Sequence, residues 1–265
     1  MGESPQRPMD AFRLRKWYLD CVTPHGEVFI GYWARLSLGG LDLSYCSRLG
    51  AEGEAASSFR PSDEPRVLDG HLGWSCRPLD LEGRWEARCP PCTLRLHERQ
   101  GRDLTWACLQ PASAVELVLG GRRLRGDGYA ERLDLGYGPW HLPFEELRWG
   151  RFAGGGASLV WIGWRGAAPR TWTVLDGREV AGGRVEEDRV SLPGATLELE
   201  VPDRLVIRDA PVLPPGLLRF PAVAGLVPAS FGALRERKWR SSGVLHREGA
   251  PDVRGWVIHE TVGTP

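Results

Sequence analysis

The sequence has no excess of charge of either sign, because 34 lysine and arginine residues are balanced by 34 aspartate and glutamate residues. Binding to nucleic acid or to an anionic membrane surface is usually driven by a net positive field, so we expect neither partner. The chain also lacks any run of about eighteen apolar residues, which a membrane-spanning helix needs. With 42% apolar residues, it still has enough material for a packed core.

Signatures of several common enzyme classes are missing as well. The sequence contains no P-loop, no Gly-x-Ser-x-Gly segment and no His-Glu-x-x-His segment. The run 154–156 is three glycines, but no helix pattern follows it, so it predicts a turn between strands and not a nucleotide-binding loop. We therefore expect the protein to work without a cofactor.

The first ten residues indicate the cellular compartment. Met1–Asp10 is polar and contains proline, without the apolar stretch of a secretory signal, which predicts a cytoplasmic protein.

Cys89 and Cys92 have the spacing of a metal or redox pair, but no second close pair follows. Other cysteines lie in strand patterns, where they serve as small buried apolar residues. We therefore predict no metal site.

Glycine, proline and tryptophan are abundant, with 34, 21 and 12 residues. Many glycines and prolines indicate many turns, as a fold of short strands requires. Tryptophan supplies a large, rigid apolar surface with a single hydrogen-bond donor. Two interpretations stay open at this point: the tryptophans fill the core, or they line a ligand pocket.

Alternation of apolar and polar residues predicts strands along most of the chain. Thr93–Glu98 and Asp103–Cys108 alternate on either side of a glycine turn, and Thr171–Leu175 runs into an Asp-Gly turn. Two stretches break the pattern. Gly50–Asp69 predicts a long loop, and Ala229–Lys238 predicts one short helix. We expect an all-β protein with about eight antiparallel strands in each half.

An internal repeat is the most informative feature. Val28–Tyr32 reads Val-Phe-Ile-Gly-Tyr, and Val160–Trp164, 132 residues later, reads Val-Trp-Ile-Gly-Trp. At the same spacing, Lys16-Trp17 matches Arg148-Trp149. Such similarity at half the chain length indicates duplication of one structural unit. We predict two tandem antiparallel barrels or half-open barrels, residues 1–138 and 139–265.

These segments resemble a known group of proteins. The Lys16–Asp20 segment, Gly26 and the Phe29–Tyr32 strand resemble the opening of lipocalin-like proteins related to bacterial carotenoid 1,2-hydratases, AttH-like proteins and fungal Diels–Alderases. Gly126–Glu131 and Leu147–Arg151 resemble the motif that joins the two barrels of that group. The resemblance implies a double lipocalin-type architecture. Carotenoid hydratases carry an Asp-His-Asn-Trp-Gly-like run where this chain has 130–134, Ala-Glu-Arg-Leu-Asp, so the reaction stays open.

Chemistry on an apolar polyene needs an acid, aromatic faces and a dry pocket that folds the substrate. Residues near the two motifs could supply these groups. The candidate catalytic residues are Glu131, Asp20, Tyr129 and His141. The candidate substrate-binding residues are Trp17, Tyr18, Trp140, Trp149, Arg151 and Trp164. A second interpretation of the charged residues is structural, since lysine or arginine paired with Asp20 or Glu131 would close a barrel end.

Three functions follow from this pattern. The first is a cofactor-independent enzyme that hydrates, cyclises or isomerises a hydrophobic polyene or terpenoid bound within or between the barrels. The second is a binding protein that stores or presents a hydrophobic ligand. The third is a structural protein with filled barrels, which a largest cavity below about 300 Å³ would favour.

Overall fold

The computed structural model describes residues 12–38, 40–50, 55–213, 216, 225 and 227–264. Within these ranges the chain is built almost entirely from strands. The first ten are β1 (Arg13–Val22), β2 (Val28–Leu38), β3 (Leu41–Gly50), β4 (Ala55–Ser58), β5 (Arg66–Leu68), β6 (His71–Cys76), β7 (Leu81–Ala87), β8 (Cys92–Arg99), β9 (Arg102–Leu119) and β10 (Arg122–Leu135).

The second half supplies another ten. They are β11 (Glu146–Gly154), β12 (Ala157–Arg165), β13 (Arg170–Leu175), β14 (Arg178–Glu179), β15 (Arg184–Val185), β16 (Arg189–Leu192), β17 (Ala195–Leu199), β18 (Leu205–Pro211), β19 (Arg235–Arg247) and β20 (Ala250–Gly263). Among the described residues, the helical elements are α1 (Ala229–Gly232) and the 3-10 turns Arg77–Leu79, Pro139–His141 and Val201–Asp203.

The two halves have the same strand order. The first sheet runs β4-β3-β2-β1-β10-β9-β7-β6-β5, with β8 paired to β9. The second runs β14-β13-β12-β11-β20-β19-β17-β16-β15, with β18 paired to β19. Adding ten to each strand number of the first sheet gives the second. This confirms the prediction of two similar antiparallel halves, although each half has ten strands in the described ranges instead of about eight.

The two segments of the sequence repeat differ in how well they match the structure. The match between β2 and β12 reflects equivalent positions in the two sheets, and the match between β1 and β11 does not. Val28–Tyr32 lies in β2 and Val160–Trp164 in β12, which occupy the same place in the two sheets. Trp17 and Trp149, however, face opposite ways: Trp17 lies inside the first sheet and Trp149 between the sheets. The hairpin between β11 and β12 is shorter than that between β1 and β2, so the basic-Trp match does not reflect equivalent positions.

Each sheet curls around its own apolar interior, and we call the two sheets the first and second barrel. Four indoles, Trp17, Trp33, Trp74 and Trp85, occupy the first interior and are at most 3% exposed. Leucine, valine and Phe152 dominate the second interior. Because these four indoles pack with other buried apolar side chains of the first interior, they serve as core filler.

The segment 62–64 closes one end of the first barrel through indole hydrogen bonds. Trp17 Nε1 donates to Glu64 Oε1 at 2.8 Å, and Trp33 Nε1 donates to the Ser62 carbonyl at 3.1 Å. Trp74 Nε1 donates to the Asp63 carbonyl at 3.2 Å. A buried indole N–H needs an acceptor, and this short segment provides three of them.

A third apolar core joins the barrels. The outer faces of β1, β2 and β10 pack there against β11, β12 and β20, and the core includes Tyr18, Ile30, Trp149, Ile162 and Ile258. Strands β1 and β2 are therefore apolar on both faces, one toward the barrel interior and one toward the other barrel. Strands buried on both faces lose the clean alternation of a half-exposed sheet.

One ion pair lies within this third core. Arg151 of β11 binds Asp20 of β1 with both ends of its guanidinium, Nε to Oδ2 at 3.0 Å and Nη2 to Oδ1 at 2.6 Å. Both side chains are 0% exposed. Tyr18 also donates to Asp20 Oδ2 at 3.0 Å. The two-point geometry fixes β1 relative to β11 and thereby one barrel relative to the other.

Two predicted segments differ from the structure. Ala229–Lys238 is helical only over Ala229–Gly232, and strand β19 begins at Arg235. Four charged residues in a row hide the period-two pattern of that strand. The predicted loop Gly50–Asp69 contains the short strands β4 and β5, while residues 51–54 lie outside the described residues. The first sheet ends at Leu135 and the second begins at Glu146, so the predicted boundary at 138/139 falls between the sheets. The division into two separate domains stays a prediction.

The described helices contain none that is long and apolar enough to cross a membrane. All six cysteines are free thiols. Among the described residues, no three His, Cys, Asp or Glu side chains form a group that could hold a metal ion.

The Asp20–Arg151 pair predicts a large loss of stability when one partner is removed. Arg151→Met leaves the Asp20 carboxylate buried without its counter-ion and should lower the free energy of unfolding by about 3–5 kcal/mol, measured by urea titration. The matched control, Arg35→Met, breaks the exposed Arg35–Asp42 pair and should leave the midpoint nearly unchanged. Asp20→Leu combined with Arg151→Met should recover much of the loss. Equal effects of Arg151→Met and Arg35→Met would contradict the assignment.

Candidate functional site

An apolar cavity of about 520 Å³ lies between the two barrels. Its walls come from the outer face of β1–β4 and β10, from the segment that joins the two barrels, from strands β11, β18, β19 and β20, and from described residues between β18 and β19. The apolar wall residues include Phe12, Leu14, Leu36, Leu43, Leu133, Trp140, Leu142, Leu147, Phe231 and Val262. Alternate residues of β1, β2 and β3 face this cavity, because their intervening neighbours fill the first barrel.

Charged and hydroxyl side chains gather at one part of the cavity wall. We call this group the charged cluster, and it consists of Lys16, Tyr32, Arg208, Glu236, Lys238 and Glu260. All but Lys238 line the cavity. Arg208 Nε lies 3.1 Å from Glu236 Oε2, and Lys16 Nζ lies 4.9 Å from the centre of the Tyr32 ring. An otherwise apolar pocket with a few converging polar groups is the usual form of a small-molecule site.

Lys238 is the buried centre of the charged cluster. Strand β19 places it opposite Glu260 of β20, and its Nζ contacts Glu260 Oε2 and lies 3.3 Å from Glu236 Oε1. The ammonium also lies 5.2 Å from the ring centres of both Tyr18 and Trp149, within cation–π range. Burial lowers the pKa of Lys238 to about 8, and Glu236 opposes part of that shift. Its charge therefore changes close to neutral pH.

Glu236 is held as a carboxylate by its neighbours. Burial alone would raise the pKa of Glu236, but Lys238, Lys16 and Arg208 outweigh burial and leave the pKa below the ordinary value. Since the side chain lines the cavity, the carboxylate lies at the border of an apolar space. A carboxylate in such a place can accept a proton from a bound molecule.

Tyr32 offers an unused hydroxyl at the same wall. Its oxygen is buried and has no hydrogen-bond partner among the described residues. Burial raises the pKa of Tyr32 well above the ordinary value, and the nearby Glu236 raises it further. The hydroxyl therefore stays protonated and can donate a hydrogen bond to an oxygen atom of a ligand. A buried polar group without a partner is costly, so a ligand that accepts this bond gains affinity.

Glu131 forms a second polar network beside the charged cluster. Its Oε2 accepts hydrogen bonds from Tyr129 Oη at 2.6 Å, Trp106 Nε1 at 2.5 Å and Trp149 Nε1 at 3.2 Å. Burial raises the pKa of Tyr129 well above the ordinary value, so that hydroxyl remains a donor. Three donors on one oxygen hold the carboxylate firmly in place.

Ring contacts connect the Glu131 network to the Asp20–Arg151 pair. The Tyr18 ring lies 4.8 Å from the Trp149 ring and 5.9 Å from the Tyr129 ring, measured between centres. The structure thus brings six of the sequence-predicted site residues into one buried group between the barrels. These are Asp20, Tyr18, Arg151, Glu131, Tyr129 and Trp149. None of the six lines the large cavity.

The other four predicted residues lie elsewhere. Trp140 lines the cavity and packs against Phe12, with ring centres 5.7 Å apart. His141 follows it in the 3-10 turn between the barrels, and burial lowers the pKa of its imidazole below the ordinary value. Trp17 belongs to the interior of the first barrel. Trp164 packs against Trp172 in the core between the barrels, with ring centres 5.0 Å apart.

Glu236, Lys238 and Glu260 were given no role from the sequence, and Tyr32 was noted only as part of the repeat. The feature that could have revealed Glu236 and Lys238 is the alternation of charges in Arg235-Glu236-Arg237-Lys238, a segment that was predicted to be helical. In a strand, Glu236 and Lys238 share a face, on which they meet Glu260 of the neighbouring strand β20. Glu236 and Glu260 line the cavity. A strand assignment would have placed both charges together beside the apolar core.

Comparisons with known proteins agree with the architecture. No protein-family model and no curated protein matches the sequence. Among solved structures, an AttH-like protein from Nitrosomonas europaea is 14% identical, with a TM-score of 0.56 over 100% of this chain and 98% of that chain. The protein CghA, solved with Sch210972, is 13% identical, with a TM-score of 0.54 over 96% of this chain and 89% of that chain.

CghA solved alone is 12% identical to this chain, with a TM-score of 0.53 over 96% of this chain and 88% of that chain. At these identities the likeness concerns the fold. It confirms the architecture implied by the sequence resemblance: the chain has the double-barrel, lipocalin-like fold of the AttH-like proteins.

Proposed function

We propose that this protein is a cofactor-independent enzyme that binds a hydrophobic, oxygen-bearing small molecule between its barrels and transforms it by proton transfer. The observation that carries this proposal is the apolar cavity whose wall holds an unpaired Tyr32 hydroxyl beside the Glu236 carboxylate. A polyene or terpenoid with a carbonyl or hydroxyl group fits that combination of surfaces. Hydration, cyclisation and isomerisation are the reactions that these groups can assist.

The size of the cavity argues against a purely structural protein. At about 520 Å³ it exceeds the roughly 300 Å³ below which filled barrels would have been favoured. The barrel interiors hold clusters of buried apolar side chains, and for this reason we place the ligand in the cavity between the barrels. CghA, which has the same fold, was solved with the small molecule Sch210972.

The roles within the charged cluster follow from position. Tyr32 donates a hydrogen bond to the ligand oxygen and stabilises negative charge that develops there. Glu236 accepts or returns a proton at a neighbouring carbon or at water. Lys238 does not line the cavity and is a positioning residue, since it holds Glu236 and Glu260 in place by charge. The apolar walls exclude bulk water and fold the substrate against these groups.

Glu131 remains the alternative proton donor predicted from the sequence. Its three hydrogen bonds suit a different role, in which it fixes Trp149 and Tyr129 against the ring of Tyr18. We assign proton transfer to Glu236 because Glu236 lines the cavity and Glu131 does not. A non-catalytic binding protein is the second candidate function, and it needs the cavity but not the carboxylate.

Filling the cavity should weaken ligand binding whichever of the two functions holds. Leu43→Trp adds bulk at the cavity wall and should raise the Kd of an apolar dye, 8-anilinonaphthalene-1-sulfonate, at least tenfold in a fluorescence titration. Leu68→Trp adds the same bulk at an exposed position of β5 and should leave the Kd unchanged. Equal Kd values for both variants would show that the dye, and the proposed ligand space, lie elsewhere.

Removing the proposed base should separate catalysis from binding. The hydrophobic compound that co-purifies from the native host is first identified by mass spectrometry and then supplied to the purified protein. Glu236→Gln should lower the single-turnover rate by 10²-fold or more, in line with the usual contribution of general acid–base catalysis, while binding changes little. Glu131→Gln should have the smaller effect on the rate. The reverse order would move proton transfer to Glu131, and no turnover by the wild type would favour the binding protein.

The pH profile should report Lys238. Because its pKa is about 8, kcat/KM should fall as pH rises through about 8, where loss of the ammonium leaves Glu236 and Glu260 without their shared cation. Lys238→Arg keeps the charge, since guanidinium stays protonated above pH 12, and should move the decline to higher pH. A profile that is unchanged in Lys238→Arg would exclude this positioning role.

A further inference from the structure

A second cavity, of about 220 Å³, lies at one end of the second barrel, where β11 and β19 begin and β20 ends. Its walls come from β11, β12, β16, β17, β19 and β20, from residues just before β16, and from Arg204 just before β18. Trp161 and Val190 of this wall belong to the buried apolar cluster of the second interior. Of the described wall residues, only Glu260 also lines the cavity between the barrels. The second cavity is therefore a separate space at the end of one barrel.

The first barrel carries an apolar side chain at the equivalent place. Leu19 of β1 pairs with Gly31, and Arg148 of β11 pairs with Gly163, the corresponding glycine of the sequence repeat. Leu19 is 0% exposed and belongs to the apolar cluster of the first interior, whereas Arg148 lines the second cavity. A guanidinium on the inner face of a barrel is costly unless its charge and its donors are met. Packing alone does not favour arginine at this position.

Two arginines of this wall keep a buried donor without a partner. Arg148 Nε donates to Glu146 Oε1 at 2.7 Å, but its Nη1 has no hydrogen-bond partner among the described residues. Arg204 Nη2 donates to the Glu187 carbonyl at 3.1 Å, and its Nε is unpaired in the same part of the chain. The two side chains are only 14% and 16% exposed. A ligand that accepts hydrogen bonds from these guanidinium groups would gain affinity, most of all if it is an anion.

The carboxylates of the wall leave much of this positive charge unbalanced. Glu186 and Glu187 are exposed, so water screens their charge. Glu260 contacts Lys238, which does not line the second cavity. Glu146 is the remaining acid of the described wall, and it meets the Nε donor of one arginine. The partly buried guanidinium groups therefore favour a negatively charged ligand over a positively charged one.

Aromatic rings adjoin the two guanidinium groups. Trp239 and His259 stack with ring centres 5.2 Å apart and an angle of 24°, and Trp161 lines the same cavity. The Arg204 guanidinium lies 5.7 Å from the centre of the Trp239 ring. Burial, together with the nearby charge of Arg204, lowers the pKa of His259 to about 3, so its imidazole stays neutral. A flat apolar group can pack against these rings.

We propose that the second cavity is a binding site for a small aromatic carboxylate. The carboxylate accepts hydrogen bonds from Arg148 and Arg204, whose planar guanidinium groups suit its two oxygens. The aromatic ring lies against Trp161 and Trp239. At about 220 Å³ the space is smaller than the roughly 300–1,000 Å³ of sites for drug-sized ligands, which limits the ligand to about two fused rings. The site is separate from Tyr32 and Glu236, so this inference does not depend on the proposed reaction.

The experiment titrates the full wild-type chain with sodium indole-2-carboxylate, a carboxylate on two fused rings. Isothermal titration calorimetry should show one saturable site with a Kd below about 1 mM. Indole-2-carboxamide has nearly the same shape without the charge and should bind about tenfold more weakly or worse, because it offers no anion to the two arginines. Equal Kd values for the two compounds, or no saturable binding of the carboxylate, would overturn the proposal. This comparison does not depend on the folding of any variant.

Three variants locate the bound carboxylate. Arg204→Met removes one guanidinium group and should raise the Kd about tenfold or more, whereas Arg189→Met, which breaks the exposed Arg189–Glu198 pair, should leave the Kd unchanged. Leu43→Trp adds bulk to the cavity between the barrels and should also leave the Kd unchanged. A Kd that rises in Leu43→Trp and not in Arg204→Met would place the compound between the barrels and overturn the proposal. Equal Kd values in Arg204→Met and Arg189→Met would overturn it as well.

Discussion

The two-point contact between Arg151 and Asp20 is the constraint on which the arrangement of the barrels depends. Two charges that are 0% exposed are costly unless their geometry satisfies both partners, and the guanidinium and carboxylate meet here at two points with Tyr18 as a third donor. An apolar interface alone tolerates sliding, because hydrophobic contact is not directional. The ion pair removes that freedom and fixes β11 over β1. Because the cavity lies between the barrels, its shape depends on that fixed arrangement.

The position of the cavity is a consequence of how the barrels are filled. Tryptophan and leucine occupy the first interior, and the indole N–H groups are satisfied by the short segment 62–64. Outside β1–β4, the described side chains leave a cavity of about 520 Å³ against residues of the second half. The cavity therefore lies between the two barrels. Polar groups that neither barrel can satisfy, such as the Tyr32 hydroxyl, are found at that boundary.

The sequence predicted the fold better than the site, and the reason is physical. Period-two alternation and the repeated segments can both be read from short stretches of sequence. Together they were sufficient to predict two antiparallel sheets of the same type. The six residues that meet around Asp20 and Glu131 lie near those same motifs, so they were found. Glu236 and Lys238 lie in a run of charges that alternation cannot interpret. Their importance depends on burial against the other barrel, which no short window of sequence contains.

Duplication also explains why the site has mixed chemistry. Asp20 pairs across its sheet with Tyr129 and Ile30, and Trp149 pairs with Glu260 and Ile162. Because β1 corresponds to β11, β2 to β12 and β10 to β20, Asp20 and Trp149 occupy equivalent positions, as do Tyr129 and Glu260.

All four of these positions lie where the two barrels meet, since the same outer face of each copy forms the interface. A symmetric pair would have placed identical side chains against each other and buried like charges together. The two copies instead carry different residues at these positions: an acid and a phenol in the first, and an indole and a second acid in the second. The acid of the first copy is neutralised by Arg151, and the acid of the second by Lys238. The charged site between the barrels is therefore stable because the two copies no longer match at the positions where they touch.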